Sequence, residues 1–310
     1  GKLKLRQDLG EKAIIEHLAP RLGLTLLEAA AGMYRVIGAN MAHGVRAITV
    51  KRGLDPREFP LVVAGGAGAL HACMIADELE IPTLIVPRVA STLCAAGMLF
   101  TDFMHDFVRS YICRLADLDG ARLTGLVAAM TEEGARQLER EGIAPERLEH
   151  QVALDLRYLK QYHELTLRVP AAWVAPEVDL TAIVTAFHAE HNRLYGYDLG
   201  AEGTPLELIN VRVRSVGRTH KPVLPRLVRS GADPRAALKG ARRAFIPEVN
   251  EMAELPVFDG HRLQAGYEIP GPALVDRTDT TVFIGTGYRA QVDELGSLRL
   301  ERQPRAGRRS

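Results

Sequence analysis

The stretch LVVAGGAGALHA, Leu61 to Ala72, runs an apolar segment straight into two glycines, an alanine and a third glycine before a helical pattern resumes. Phe59 to Ala64 is a short continuous apolar run bounded by turn signals, as expected for a strand covered on both faces. Gly65 to Gly68 is its turn, Ala69 to Leu79 the following helix, and IPTLIVPRV, Ile81 to Val89, the next buried strand. Strand, turn, helix and strand within about thirty residues make a βαβ unit. Its two strands are parallel, because a parallel pair needs such a crossover. An α/β layer is therefore required here, whatever the rest of the chain does.

The remaining sequence has room for a second domain. At 310 residues, 47% apolar and 25% charged, the composition is that of a soluble globular protein with a sizeable core. A formal net charge of +1, with both signs interspersed, points to neither nucleic acid nor an anionic membrane as partner. No apolar run reaches bilayer-spanning length and no charged-then-apolar leader opens the chain, so a cytoplasmic location is expected. Cys73, Cys94 and Cys113 lack CxxC spacing and read as reduced, buried structural thiols. The chain begins at Gly1 close to a helical pattern, as a piece of a longer protein or a trimmed subunit would.

Asp8 with Glu11, and Thr25 with Glu28, have the spacing at which an N-cap oxygen and a Glu three residues on satisfy orphan helix N–H groups. The second of these helices runs from about Leu26 to Lys51, with Ala29, Met33, Val36, Ile37, Met41, Val45 and Ile48 on an apolar face, and Gly53 stops it. Ser91 to Gly97 reads as a small-residue helix start, and the character changes near Tyr111. An amphipathic helix over Leu118 to Gly142 precedes a half-exposed strand pair over His150 to Pro170, then a helix over Leu180 to Tyr195. Two further strands are expected in Leu206 to Arg218, followed by a β-rich finish punctuated by Gly271, Gly285, Gly287 and Gly296. No internal repeat is present. The organisation is an α/β part over 1–110 and a mixed α+β domain over 111–300; the Arg, Gly and Pro of 301–310 lack an apolar partner and read as a disordered tail.

Two readings fit the glycine turn. Glycines at a strand end let backbone N–H groups approach a ligand, and the next helix offers a partly positive N-terminus; equally, tight strand-to-helix turns use glycine with no ligand at all. The spacing is not GxGxxG and no GK[ST] follows. His71, in the first turn of that helix, is either an acid, base or donor near the turn or a helix-end histidine satisfied by backbone. Asn40, His43 and Arg46 read as solvated helix positions. His105 with Asp106, and His188 with His191, combine metal-ligand types, but no third ligand accompanies either pair and HAEH is not HExxH, so no metal is expected. Asp155, Arg157, Tyr162, His163 and Glu164 fall on alternating strands and read as sheet surface or domain interface. No GxSxG, no Cys/His/Asn set and no carboxylate pair of fixed separation is present.

From GLDPREFPLVVAGGAGALHACMIADELEIPTLIVPRVASTLCAAGMLFTDFMHDFVRS onward the chain resembles the hydantoinase A/oxoprolinase family, which includes acetone and acetophenone carboxylase subunits. The blocks DLRYLKQYHELTLRVP, FHAEHNRLYGYDLGAEGTPLELINVRVRSVG and GPALVDRTDTTVFIGTGYRAQVDELGSLRL follow in the family's order, so the resemblance covers nearly the whole chain. It implies the second lobe of an actin-like, hexokinase-like ATPase core followed by a C-terminal mixed α+β domain. It implies too that Gly65, Gly66, Ala67 and Gly68 form the adenosine-contacting turn, with His71 in the helix behind it. ATP and Mg²⁺ are the implied cofactors, but the family's Asp and Gly-Gly-Thr phosphate turn has no counterpart here. An N-terminal ATPase lobe or subunit would supply it, and a hydantoinase B-like large subunit is a further implied partner. Ala69 departs from the proline expected after GGAG. The implied chemistry is ATP-driven activation of an oxygen, either of a cyclic amide before ring opening or of a ketone enolate and bicarbonate before carboxylation. A nucleotide-binding scaffold without turnover of its own is the remaining alternative.

Overall fold

The structure, a computed structural model, describes residues 6–174 and 177–304. In chain order its first elements are α1 (Gln7–His17), α2 (Ala19–Leu22), α3 (Leu26–Thr49), β1 (Leu61–Val62), α4 (Gly68–Leu79), β2 (Thr83–Val86) and α5 (Leu93–Met98). Then come β3 (Phe103–Arg114), α6 (Gly120–Arg140), β4 (Leu148–Tyr158), β5 (Leu165–Val169), α7 (Leu180–Tyr195) and β6 (Leu206–Gly217). The last are β7 (Leu238–Ile246), β8 (Glu251–Asp259), β9 (Glu268–Pro270), β10 (Ala273–Asp276), β11 (Thr281–Ile284), β12 (Tyr288–Val292) and β13 (Leu298–Arg302). No helix among the described residues is long and apolar enough to cross a membrane.

These elements pack as two compact units, Gly1–Met98 with Val223–Ser310, and Leu99–Pro222. Chain order alone divides the sequence at 110, which lies inside β3; the packing instead returns the last part of the chain to the first. The reason is strand pairing: β13 lies antiparallel to β2, with Leu300 opposite Leu84 and Leu298 opposite Val86. Because β13 extends through Glu301 and Arg302, the first two residues of the expected disordered tail are paired; residues 305–310 lie outside the described residues.

In the first unit a sheet of order β1-β2-β13-β12-β9 packs against α4, burying Leu84, Val86, Leu298 and Leu300 with Ala69, Ala72, Cys73 and Ala76. A second sheet of order β11-β10-β8-β7 carries its own small cluster of Ile246, Leu255, Val257, Leu274 and Phe283. The expected βαβ unit is present, and β1 pairs parallel to β2, with Leu61 opposite Leu84. Yet β1 is shorter than predicted and is not covered on both faces. It lies at the edge of its sheet, and Val62 is 53% exposed.

Local signals fared unevenly at the helix starts. Thr25 caps α3 as predicted, its side chain accepting from the Glu28 N–H at 3.3 Å while Glu28 accepts from the Thr25 N–H at 2.8 Å. Asp8 caps nothing: Arg6 holds the N-cap position of α1, and Asp8 is drawn into a bidentate pair with its guanidinium at 2.8 and 2.6 Å. The buried stripe of α3 also differs from the predicted one. Ala29, Ala31, Gly38 and Ala42 are buried and Met41 and Val45 pack on the core, but Met33, Val36, Ile37 and Ile48 are exposed. Small residues let α3 approach α4 closely, with Met74 lying over Gly38.

The second unit is a single antiparallel sheet of order β3-β6-β4-β5, its core shared with α6 and α7. Leu154, Leu156 and Tyr158 of β4 and Val211 and Val213 of β6 pack with Leu123, Met130, Ile183 and Phe187 of the helices. The two strands predicted over Leu206 to Arg218 are one, β6, which pairs with β3 on one side and β4 on the other. On the sheet's opposite face Asp155 is fully buried, receiving hydrogen bonds from Thr166 Oγ1 at 2.6 Å, Asn210 Nδ2 at 2.9 Å and Arg212 Nε at 2.7 and 2.8 Å. Of the three cysteines only Cys73 is buried as expected; Cys113 is partly exposed and Cys94, on the short helix α5, is exposed.

Candidate functional site

The glycine turn sits between β1 and the start of α4, and neighbouring segments fix it. The Gly65 N–H donates to Ala90 O at 2.7 Å, and Thr280 Oγ1 donates to Gly66 O at 2.7 Å. Gly65 has φ +92°, a conformation that side chains disfavour, so the backbone itself demands glycine there. Gly66 and Gly68 are different. A methyl group on Gly66 would meet only Asp279 O at 3.5 Å, and one on Gly68 only Val63 Cγ1 at 3.4 Å, both ordinary contacts.

Gly66 and Ala67 are exposed, so the turn faces solvent. Ala67 occupies the N-cap position of α4 and offers no side-chain oxygen. The first N–H groups of a helix have no partner within it and carry its positive end. The start of α4 is thus a donor-lined, side-chain-free surface, suited to an electron-rich group that must come close to backbone.

His71 is in the first turn of α4, as predicted, but it is packed against α3. Its ring stacks on Tyr34 with centroids 4.6 Å apart, and the Tyr34 hydroxyl donates to Leu70 O at 2.8 Å. The Nδ1 atom of His71 is buried and has no hydrogen-bond partner among the described residues. Burial pushes the His71 imidazole below its ordinary value and the Tyr34 phenol above its own. Beneath the helix Cys73 donates to Phe283 O and accepts from the Gly285 N–H, and burial pushes its thiol up to about 12, which makes it inert.

Three residues beside the turn escaped the sequence reading, namely Ser91, Asp279 and Thr280. The Ser91 hydroxyl is bonded to Asp279 Oδ2, and Thr280 is buried under the turn. The polar run DRTDTT, Asp276 to Thr281, was the available signal, but nothing local says that it closes over a turn two hundred residues earlier. Arg277 braces the same region by donating to Pro87 O at 2.8 Å and Gly296 O at 2.9 Å. The donor set fits the uncharged end of a nucleotide better than Mg²⁺. Asp279 approaches the turn through its backbone carbonyl while its carboxylate is taken by Ser91, and among the described residues no group of three or more His, Cys, Asp or Glu could hold a metal ion.

The other sequence candidates are occupied elsewhere. His105 lies 2.9 Å from Glu141 and 3.2 Å from Gln137, while Asp106, its neighbour on β3, pairs with Arg214 at 2.7 Å and is held below the usual carboxylate range by it. His188 and His191 share one face of α7, where Tyr158 and Phe187 surround them. Arg46 pairs with Glu78, Arg157 with Glu207, and Asn40 and His43 are solvent-exposed on α3.

A sequence profile of the hydantoinase/oxoprolinase family matches residues 1–107, and its C-terminal-domain counterpart matches residues 118–303. Caprolactamase subunit alpha of Pseudomonas jessenii is 29% identical over 303 residues, covering 97% of this chain and 43% of that one. The crystal structure of the ATP-dependent caprolactamase from that organism superposes with a TM-score of 0.70 at 28% identity, over 97% of this chain and 44% of its own. The acetophenone carboxylase gamma subunit of Aromatoleum aromaticum is also 29% identical, over 97% of this chain and 42% of its length. A nucleotide-free acetone carboxylase structure, 22% identical, shares the fold with a TM-score of 0.86 over 97% of this chain and 44% of that chain. The chain thus spans less than half the length of the curated relatives it matches.

Proposed function

The chain belongs to the hydantoinase/oxoprolinase family, and from that premise we propose that it is the nucleotide-binding portion of an ATP-dependent cyclic amide hydrolase. One observation carries the reading. Gly66 and Gly68 are bare where the fold's own packing would accept a methyl group, which is accounted for by a ligand approaching from outside. In this reading Gly65, Gly66, Ala67 and Gly68 receive the adenosine end of ATP, and His71 supports the helix behind them through its stack on Tyr34.

The chain is then the second lobe of an actin-like, hexokinase-like ATPase core with a mixed α+β domain, working with a first lobe or subunit and a hydantoinase B-like large subunit. Phosphates and Mg²⁺ fall to that other lobe. Transfer of the γ-phosphoryl group to the amide oxygen leaves ADP and makes the carbonyl carbon open to water. Once that water has added, the ring C–N bond breaks and nitrogen leaves as the amine, and a second water hydrolyses the resulting acyl phosphate to a carboxylate and inorganic phosphate. The part of this chain is positioning, which dominates catalysis of phosphoryl transfer.

A second reading, a ketone carboxylase subunit, is favoured by one specific observation: the acetophenone carboxylase gamma subunit is as similar in sequence as the caprolactamase subunit, at 29% each. Calorimetric titration of ATP into the chain alone and together with its large partner subunit tests the shared part of both readings. Binding that Gly66→Asp abolishes is the expected result; no binding in either form would overturn the adenosine turn. ATP consumption by the full assembly that depends on labelled bicarbonate and a ketone, instead of on a lactam, would select the carboxylase.

A further inference from the structure

The second unit holds a cavity of about 380 Å³ where the β4–β5 turn meets the segment after α7. That size is within the range of sites for small molecules. His191 lines it although its residue is only 2% exposed. Its Nδ1 lies 2.8 Å from Tyr197 O; a carbonyl only accepts, so Nδ1 carries a proton. The other ring nitrogen, Nε2, faces Gln161 Nε2 at 3.4 Å, which gives the floor a polar character.

The walls are aromatic. The rings of Tyr195 and Tyr197 approach that of His191 with centroids 4.7 and 4.9 Å apart, and both tyrosines are about half exposed. Tyr162 stands at the rim, 93% exposed. Large exposed rings gathered round one buried imidazole are not explained by the core of this unit, which is built on Tyr158 and Phe187 instead.

Charge at the mouth is of one sign. Lys160 lines the cavity, has no ion-pair partner among the described residues, and is exposed. No Asp or Glu lines the cavity; nearby Asp198 already accepts from the Gly200 N–H at 3.0 Å. Lys160 also adopts φ +74°, one of three non-glycine residues in that region among those described. An L residue held there is strained, and such outliers point toward function when packing does not account for them. Here an exposed side chain gains nothing from packing, yet the turn sets Lys160 in the lining of the same cavity as the tyrosines.

We propose that this cavity binds a small planar ring bearing a carboxylate, the ring lying among the tyrosine faces and the carboxylate meeting Lys160. The inference goes beyond the nucleotide reading and involves none of its residues, so failure of ATP binding leaves it standing.

Benzoate is the probe, titrated into the full labelled chain while the His191 and His163 ring signals are followed by NMR. Benzamide keeps the ring without the charge, and cyclohexanecarboxylate keeps the charge without the plane. Saturable benzoate shifts at His191 are expected, with both controls weaker. Lys160→Gly removes the ammonium and suits φ +74°, so the fold is retained; it should weaken benzoate about tenfold and leave benzamide unchanged. No saturable shift at His191, equal binding of either control, or unchanged benzoate affinity in Lys160→Gly would each overturn the site.

Discussion

At Gly134 in α6 an added methyl group would run into Ser215 of the sheet beneath and come within 3.0 Å of Phe107, whereas at Gly66 in the first unit the nearest atom would be 3.5 Å away. Both glycines begin as equal letters in the sequence, and they mean opposite things. At Gly134 glycine is consumed by packing: it lets a long helix lie tightly on β3 and β6. In the turn before α4 it is left over after packing is satisfied. A glycine that the fold does not use is the better indicator of a ligand, and only coordinates separate the two kinds.

The contrast can be broken from either side. The largest effect belongs to the second unit, where Arg212→Met leaves the buried Asp155 carboxylate with fewer partners; a loss of about 3 kcal/mol of stability is expected, since breaking a buried pair costs about 3–5 kcal/mol and Arg212 is partly solvated. Urea unfolding midpoints measure it, and a loss within error would show that Thr166 and Asn210 suffice. Next comes Gly134→Ala, expected to cost about 2 kcal/mol by overpacking α6 onto the sheet. Gly65→Ala should cost about 1–2 kcal/mol because of its positive φ. Gly66→Ala should change stability by less than about 0.5 kcal/mol while weakening ATP binding. An unfolding penalty at Gly66 equal to that at Gly134 would erase the distinction.

The smallest expected effect is pH dependence. Burial holds His71 in the first unit and His150 in the second below the ordinary 6.5 of histidine. The unfolded chain therefore takes up these protons first as pH falls. Stability present at neutral pH should decline below about pH 6.5 and continue to fall until the folded imidazoles themselves titrate. His71→Leu should flatten that slope, as read by melting temperature across the range; an unchanged slope would assign the dependence to other groups.

Much of the local structure was legible. The Thr25–Glu28 spacing gave the start of α3, the apolar run with its glycines gave β1 and α4, and alternation gave β4 and β5. The misreadings share a cause. Asp8 met a stronger competitor in the adjacent Arg6, and the buried face of α3 was chosen by what α4 could accept. Of the candidate site, the turn residues were legible from pattern and resemblance, but His71 turned to Tyr34, Ser91 came from the turn after β2, and Asp279 and Thr280 arrived from the β10–β11 connection far along the chain.

By itself the sequence determined the short-range elements, because caps, turns and hydrophobic periodicity act within a few residues of one another. The family followed from the order of its blocks. Tertiary structure alone decided that β13 lies beside β2, that Asp155 is buried on the polar side of its sheet, and that His191 forms the floor of an aromatic cavity. Those outcomes depend on which distant surfaces lose water together, and no local pattern carries that information.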